Sequence, residues 1–377
     1  MSEVAQKPDD YQNVFKSCKT HKSTVCNALD YLNSSETANF CFVKIEDCNA
    51  EYSCGFTECW CPTKRNLEEE DHEKRKLVYY GEVFEIELLK SFLEGKETLD
   101  SIGYGRIKAL EKLSDFLCDS NLQETSKILA KPLGKDLKEA KWASLVATHI
   151  FSKLAVTSDM TISDMGYQIR YDQCPCGCLA PLRVGDTSIG NENVWHGSVD
   201  ILMGHVAGIT RAEESVGENT EEDDSSFETN PGNLEFGRDQ LIAKCVVFSC
   251  VQNIQGYKLG LAPTILISKD RVKVYMYDPK SDMLYESTEL PLFSPYVKKL
   301  NTITIVALWL AVNYAIFGTG VQPAHQEFGY TADFKDRINN MEKNEIYKTE
   351  LQIGGCKQVR RLKPNHRGGF GTSFIKN

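Results

Sequence analysis

The residue pattern predicts an α/β protein, with a mixed central sheet flanked by helices and further helical additions. Three observations carry this. Two apolar stretches with helical spacing, Trp142–Leu154 and Leu241–Val251, bracket shorter runs whose residues alternate or are β-branched. Downstream, APTILISK and RVKVYMYD (262–278) read as two extended runs turning at Asp270. Finally, 41% hydrophobic and 25% charged residues over 377 positions is ordinary globular usage, which excludes disordered, collagenous and polytopic membrane classes. A chain of this length holds two domains or one elaborated domain, and burying a large core is no difficulty.

The opening MSEVAQKPDDYQNVF is polar and has no apolar core, so no secretory signal is expected. Fourteen cysteines are few for a disulfide scaffold of this length, and Cys245 and Cys250 lie inside an apolar run. Buried free thiols in a reducing compartment follow, hence an intracellular protein of nucleus or cytoplasm. Residues 1–63 read as an irregular, Cys-bearing region. Residues 64–133 begin with the mixed-charge KRNLEEEDHEKRK, a linker or exposed helix, and continue with helical spacing through Ile107, Leu110, Leu113, Phe116 and Leu117.

Residues 134–290 read as the core. Its first helix places Trp142, Leu145, Val146, His149, Ile150 and Leu154 on one face. Tyr167–Tyr171 and Pro181–Val184 flank the turn-rich CPCGC as a hairpin. WHGSVDILM (195–203) reads as one strand entering the core, followed by an acidic loop over 211–224 and a short strand at SSFETN (225–230). Asp239–Asn253 is a buried helix whose one cation is Lys244. Residues 291–345 form a helical extension, and 346–377 a basic tail. Thr302–Val321 carries no charge and is long enough to span a bilayer, but Asn313, Tyr314 and the following GTG interrupt it, so a buried helix is expected and a membrane anchor is not.

Candidate chemistry centres on Asp200. Period-two alternation puts His196, Ser198, Asp200 and Leu202 on one face of the strand. An Asp within VDILM is costly to bury unless it meets a cation, a metal or several donors. Mg²⁺ takes carboxylate ligands and needs only one or two from the protein. Glu139 heads the buried stripe of the first helix. Glu228 follows the acidic loop and can continue as the adjacent strand. Lys244 is the one charge between Leu241 and Asn253, with Gln240 a turn before it. For each residue a structural reading stands beside the catalytic one: a turn cap for Asp200, a first-turn acid for Glu139, one more loop acid for Glu228, and a snorkelling side chain for Lys244.

In this order, with HGSVDIL on a central strand and an acid-bearing strand followed by an apolar helix, residues 134–290 resemble the PD-(D/E)XK nuclease-like superfamily. The resemblance implies a restriction-endonuclease-like core. It implies that Asp200 and Glu228 hold Mg²⁺, and that Glu139 matches the acid of the first helix. Where that family has Glu-x-Lys, this chain reads Glu228-Thr229-Asn230. Lys244, assisted by Gln240, would then replace the missing lysine in orienting the attacking water. The implied activity is metal-dependent hydrolysis of DNA phosphodiesters. A catalytically silent nuclease-fold binding or scaffold protein is the alternative that Glu-x-Asn favours.

Zinc has two sequence candidates. CPCGC places Cys174, Cys176 and Cys178 at alternate positions near His196 and His205, a spacing awkward for one tetrahedral ion; Cys48 or Cys41 with Cys54, Cys59 and Cys61 is the better set. No P-loop, dinucleotide fingerprint or serine–histidine–acid motif occurs, so no small-molecule cofactor is expected. The net charge of −10 argues against a general nucleic-acid coat, yet seven acids fall within 211–224, and residues 351–377 hold six cations and no acid. DNA therefore stays open as a partner, and the oligomeric state is left undetermined.

Overall fold

The computed structural model describes residues 20–131, 139–164, 172–204, 206–211, 237–257, 260–338 and 340–356. Its centre is a mixed sheet. In chain order the strands are β1 (Phe40–Ile45), β2 (Cys54–Gly55), β3 (Thr63–Arg65), β4 (Met160–Ser163), β5 (Val184–Gly185), β6 (Ser188–Gly190), β7 (Trp195–Ser198), β8 (Ile201–Met203), β9 (Ala207–Arg211), β10 (Ala262–Ile267), β11 (Arg271–Asp278), β12 (Met283–Ser287), β13 (Leu290–Pro291) and β14 (Gln352–Ile353). Among the described residues the large sheet runs β3-β1-β12-β11-β10-β9-β8-β4-β5, with β13 beside β11; a smaller sheet runs β14-β6-β7-β2.

Both faces of the large sheet are buried, and the period-two side-chain pattern sorts each strand between two cores. Phe40 and Phe42 of β1 point to one, Cys41, Val43 and Ile45 to the other. On β11, Val272, Val274 and Met276 join the first, Tyr275 and Tyr277 the second. The first core is closed by α1 (Lys22–Ser34), α2 (Ile86–Leu93), α3 (Tyr104–Leu117), α4 (Asp119–Ala130), α5 (Glu139–Val146, continuing through Leu154) and, beyond the next helix, α7 (Thr302–Val312). The second is filled by that next helix, α6 (Arg238–Ile254), and by the small sheet and α8 (Met341–Thr349).

Helix α6 is buried at every position from Leu241 to Gln252, as expected for a helix apolar on all sides between two layers. It is also the crossover between β9 and β10. Strands β4, β8 and β9 are antiparallel neighbours, and β10 then lies parallel to β9, Thr264 opposite Gly208. Parallel neighbours need such a long connection. After α5 the chain thus lays down β4, passes through β5, β6 and β7, returns as the antiparallel neighbours β8 and β9, and crosses by α6 to the parallel strand β10.

Several sequence expectations are corrected. From residue 20, where the described residues begin, the N-terminal region is not irregular: α1 packs four apolar residues, and β1 joins the sheet between β3 and β12. The non-local pairing of Phe40–Val43 with residues 284–287 holds it there. The charged run from Lys64 is partly sheet, because β3 pairs with β1. WHGSVDILM is two strands, β7 in the small sheet and β8 in the large one, although burial alternates as expected from Trp195 to Ile201. The uncharged Thr302–Val321 is likewise divided. Asn301 caps α7 by accepting from Ile303 N–H (2.9 Å), the helix lasts 11 residues, and Asn313 ends it. Among the described residues no helix is long and apolar enough to cross a membrane. The tail from residue 346 begins as the end of α8 and strand β14; residues 357–377 lie outside the described residues.

Candidate metal centre

Between Ala147 and Phe151 the helix α5 widens into a π turn, an irregularity that frequently marks functional sites. His149 sits in this turn, 3% exposed. Burial, then the nearby Lys153, lowers its imidazole below the ordinary range, so the ring is neutral and its nitrogens can ligate.

The three thiols arrive on the loop after residue 171. Leu182 N–H to Asp172 C=O (3.0 Å) and Cys174 N–H to Ala180 C=O (2.8 Å) zip its stem. At the tip Gly177 N–H returns to Cys174 C=O (3.3 Å), with Gly177 at φ +93°, a conformation natural only to glycine. In an extended strand, alternate residues stand about 6.6 Å apart. The curl brings the Cys174 and Cys176 sulfurs to 3.4 Å, and the Cys178 N–H donates to the Cys176 sulfur at 3.3 Å. A C-x-C-x-C run is therefore not awkward for one ion once the chain turns inside it.

His149 Nε2 lies 3.1 Å from Cys176 Sγ, 3.3 Å from Cys174 Sγ and 3.9 Å from Cys178 Sγ, and the four donor atoms all fall within 4.8 Å of one another. Tetrahedral Zn²⁺, with Zn–S of about 2.3 Å and Zn–N of about 2.0–2.1 Å, sets sulfurs about 3.8 Å apart and each about 3.6 Å from the nitrogen. One His and three Cys close the coordination shell and suit a borderline-soft ion, so the cluster can hold a metal such as zinc. Cys174 is buried, and burial pushes its thiol up to about 12; an ion binding there displaces a proton. At the exposed Cys178, hydrogen bonds from the Ala180 backbone and from the Cys176 and Cys174 thiols outweigh desolvation, the largest single influence, and the thiol falls below its usual range.

The sequence reading paired these thiols with His196 or His205. His196 instead brings Nδ1 to 2.9 Å from the Val194 carbonyl, and His205 lies outside the described residues. His149 was legible only as part of a buried helical stripe. The available signal was a lone imidazole in that stripe, 25 residues before the first of three thiols. The other zinc candidate does not assemble: among the described residues Cys41, Cys48, Cys54, Cys59 and Cys61 form no converging ligand set. Cys54 and Cys59 both direct S–H to the Gly55 carbonyl at 3.6 Å, and Cys61 is fully buried.

Asp200 stands half-buried where the chain passes from β7 to β8. Its backbone is locked into the large sheet, N–H to Ile209 C=O (3.0 Å) and C=O from Ser163 N–H (2.9 Å). Glu228 and the whole of SSFETN lie outside the described residues; among the described residues β8 is flanked by β4 and β9. Glu139 opens α5, and its side chain also lies outside them. Lys244 is 5% exposed, not snorkelling at the surface, and its ammonium stands 5.9 Å from the centre of the Phe56 ring. Gln240 is half-buried in the first turn of α6.

A second charged cluster was not foreseen. Glu286 on β12, 1% exposed, accepts from Arg65 Nε (3.1 Å) and Nη2 (2.9 Å), Arg238 Nη2 (2.6 Å), Lys273 Nζ (2.7 Å) and the Tyr275 hydroxyl (2.9 Å). Burial pushes its carboxyl up, but the hydrogen bond from Arg65 and the charges of Lys273 and Arg238 overcome this and hold it at about 2. The cluster ties β3, β11, β12 and the start of α6 together.

Comparison with protein-family models, curated proteins and solved structures finds no match for the chain.

Proposed function

We propose that the protein binds one zinc ion through His149 Nε2 and the sulfurs of Cys174, Cys176 and Cys178, and that the ion is a structural clasp between α5 and the loop 172–182. The observation that carries this is the mutual approach of four donor atoms of the right kind within 4.8 Å. With four protein ligands no coordination position remains for a substrate, which assigns the ion to structure and not to catalysis. The experiment is metal analysis of protein purified under reducing conditions. About one zinc per chain is expected for the wild type, and none for Cys176→Ser. Wild-type protein that neither retains zinc nor takes it up on titration contradicts the reading.

A second reading concerns the core and is favoured by strands β4, β8 and β9 lying side by side between α5 and α6 in the chain, with β5, β6 and β7 inserted after β4 and Asp200 just before the middle strand β8. The sequence resemblance to the PD-(D/E)XK nuclease-like superfamily is the ground for this reading, a Mg²⁺-dependent phosphodiesterase acting on DNA. On that reading Asp200 and Glu228 hold the ion, which activates a water and stabilises charge on the phosphate; Lys244 and Gln240 orient that water, and Glu139 assists from the first helix. Asp200→Ala is expected to abolish Mg²⁺- or Mn²⁺-dependent cleavage with an unchanged circular dichroism spectrum. Wild-type protein that cuts neither duplex nor single strands with either metal leaves the silent binding or scaffold derivative in its place.

A further inference from the structure

The C-terminal end of α6 borders a cavity of about 370 Å³, within the size range of small-molecule sites, whose lining shares no residue with the metal centre. Gln252 lines it and is 2% exposed, yet among the described residues neither its Oε1 nor its Nε2 has a hydrogen-bond partner. A buried primary amide with both ends unmet is rare in folded proteins and costs stability unless something else completes it.

The surroundings are built and not accidental. Helix α6 ends in a Schellman turn: Gly256 N–H returns to Asn253 C=O (3.1 Å) and Tyr257 N–H to Gln252 C=O (3.0 Å), with Gly256 at φ +80°. This fixes Tyr257, 40% exposed, at the rim one turn from the Gln252 amide. From the turn between β11 and β12 come Asp278 and Lys280. The Asp278 carboxylate is held by Ser281 Oγ (2.5 Å), Ser281 N–H (3.0 Å) and Lys280 N–H (3.1 Å). Lys280 is exposed and adds a cation at the rim.

We propose that this cavity binds an adenine base. A Gln side chain offers a donor and an acceptor side by side and matches the acceptor and donor on an adenine edge, the pairing by which Gln reads adenine in nucleic acids. The acceptor-only Asp278 in the lining favours an edge bearing an exocyclic amine over the carbonyl edge of uracil. Tyr257 supplies a ring on which a base stacks, and Lys280 a cation for an attached phosphate. The base can arrive as a free nucleotide or within a single strand, and the test separates the two.

The experiment is titration of the full-length, reduced, zinc-supplemented protein with AMP, UMP, oligo-dA and oligo-dT, followed by calorimetry and ligand-observed NMR. AMP is expected to bind at least about tenfold more tightly than UMP, and Gln252→Leu to weaken AMP by at least about tenfold. The same variant is expected to melt no lower than wild type, since it removes an unmet buried amide. Should Gln252→Leu fail to fold, Tyr257→Ala at the exposed rim must weaken AMP. Binding of AMP with oligo-dA no tighter than oligo-dT supports a free-nucleotide site, and oligo-dA preferred over both oligo-dT and AMP supports a strand site. No binding of AMP or oligo-dA at millimolar concentration, no preference for AMP over UMP together with none for oligo-dA over oligo-dT, or undiminished AMP binding by Gln252→Leu or Tyr257→Ala overturns the proposal.

Discussion

Glu286 shows how much a single residue can carry in this fold. Its carboxylate is the counter-charge for Arg65, Arg238 and Lys273, all drawn to it from different elements. Glu286→Gln removes the charge and leaves three cations gathered against a neutral amide. A loss of about 3–5 kcal/mol in urea denaturation is expected, the cost of breaking a buried ion pair from one side. The pH dependence follows from a folded-state value of about 2 against an ordinary 4.5. A depressed carboxylate stabilises the fold fully above pH 4.5 and loses that contribution as pH falls toward 2, in total about 3 kcal/mol. In the Gln variant the stability curve between pH 5 and 2 should be correspondingly flatter; an unchanged acid limb would show that Glu286 is not the group responsible. At the metal centre, Cys176→Ser and His149→Ala should each lose stoichiometric zinc, while Cys118→Ser, outside the cluster, should keep it.

At the scale of elements, α7 and α5 meet through Asn313. Its amide donates to the Leu154 C=O (3.0 Å) and the Trp309 C=O (2.8 Å), and its carbonyl accepts from Val156 N–H (2.9 Å). A fully satisfied buried Asn both stops α7 and fixes the end of the helix that bears His149. Asn313→Leu would orphan the Leu154 carbonyl and the Val156 N–H; a loss of about 2–4 kcal/mol is expected, read from the urea midpoint. The interrupting Asn313 was visible in the sequence, and so were α6, β10 and β11, because their apolar periods are long and uninterrupted. Strand β1 was not, since Phe40–Val43 pair with a strand more than 200 positions away and Val43–Ile45 with a charged run that did not read as a strand. The metal centre was half legible: CPCGC stood out as the turn of a hairpin, but its C-x-C-x-C spacing was read as awkward for one ion, because how tightly the turn at Gly177 curls is not written in the spacing. A uniform helical reading of α5 gave His149 a buried position and no partner, because convergence of a π turn with a distant loop is a tertiary fact. For Asp200 the alternation was right while the strand itself was two strands in two sheets.

Over the whole molecule, two cores lie on the two faces of one mixed sheet, and the proposed zinc site fastens a loop to the rim of the first. Cys174 belongs to that core, and Cys176, Ala180 and Leu182 pack against it. Removing the ion should loosen the loop before it unfolds the sheet. Chelation is therefore expected to lower the melting temperature by several degrees, as loss of a tightly bound ligand does, and to raise hydrogen exchange first in residues 172–182. The acidic excess that opened the question of partners sits largely in 211–224. The central claim is tested most directly by native mass spectrometry of the full-length protein purified without added chelator. One zinc per chain in the wild type and none in Cys176→Ser is the expected result; a metal-free wild type that stays metal-free on addition of equimolar Zn²⁺ would contradict it.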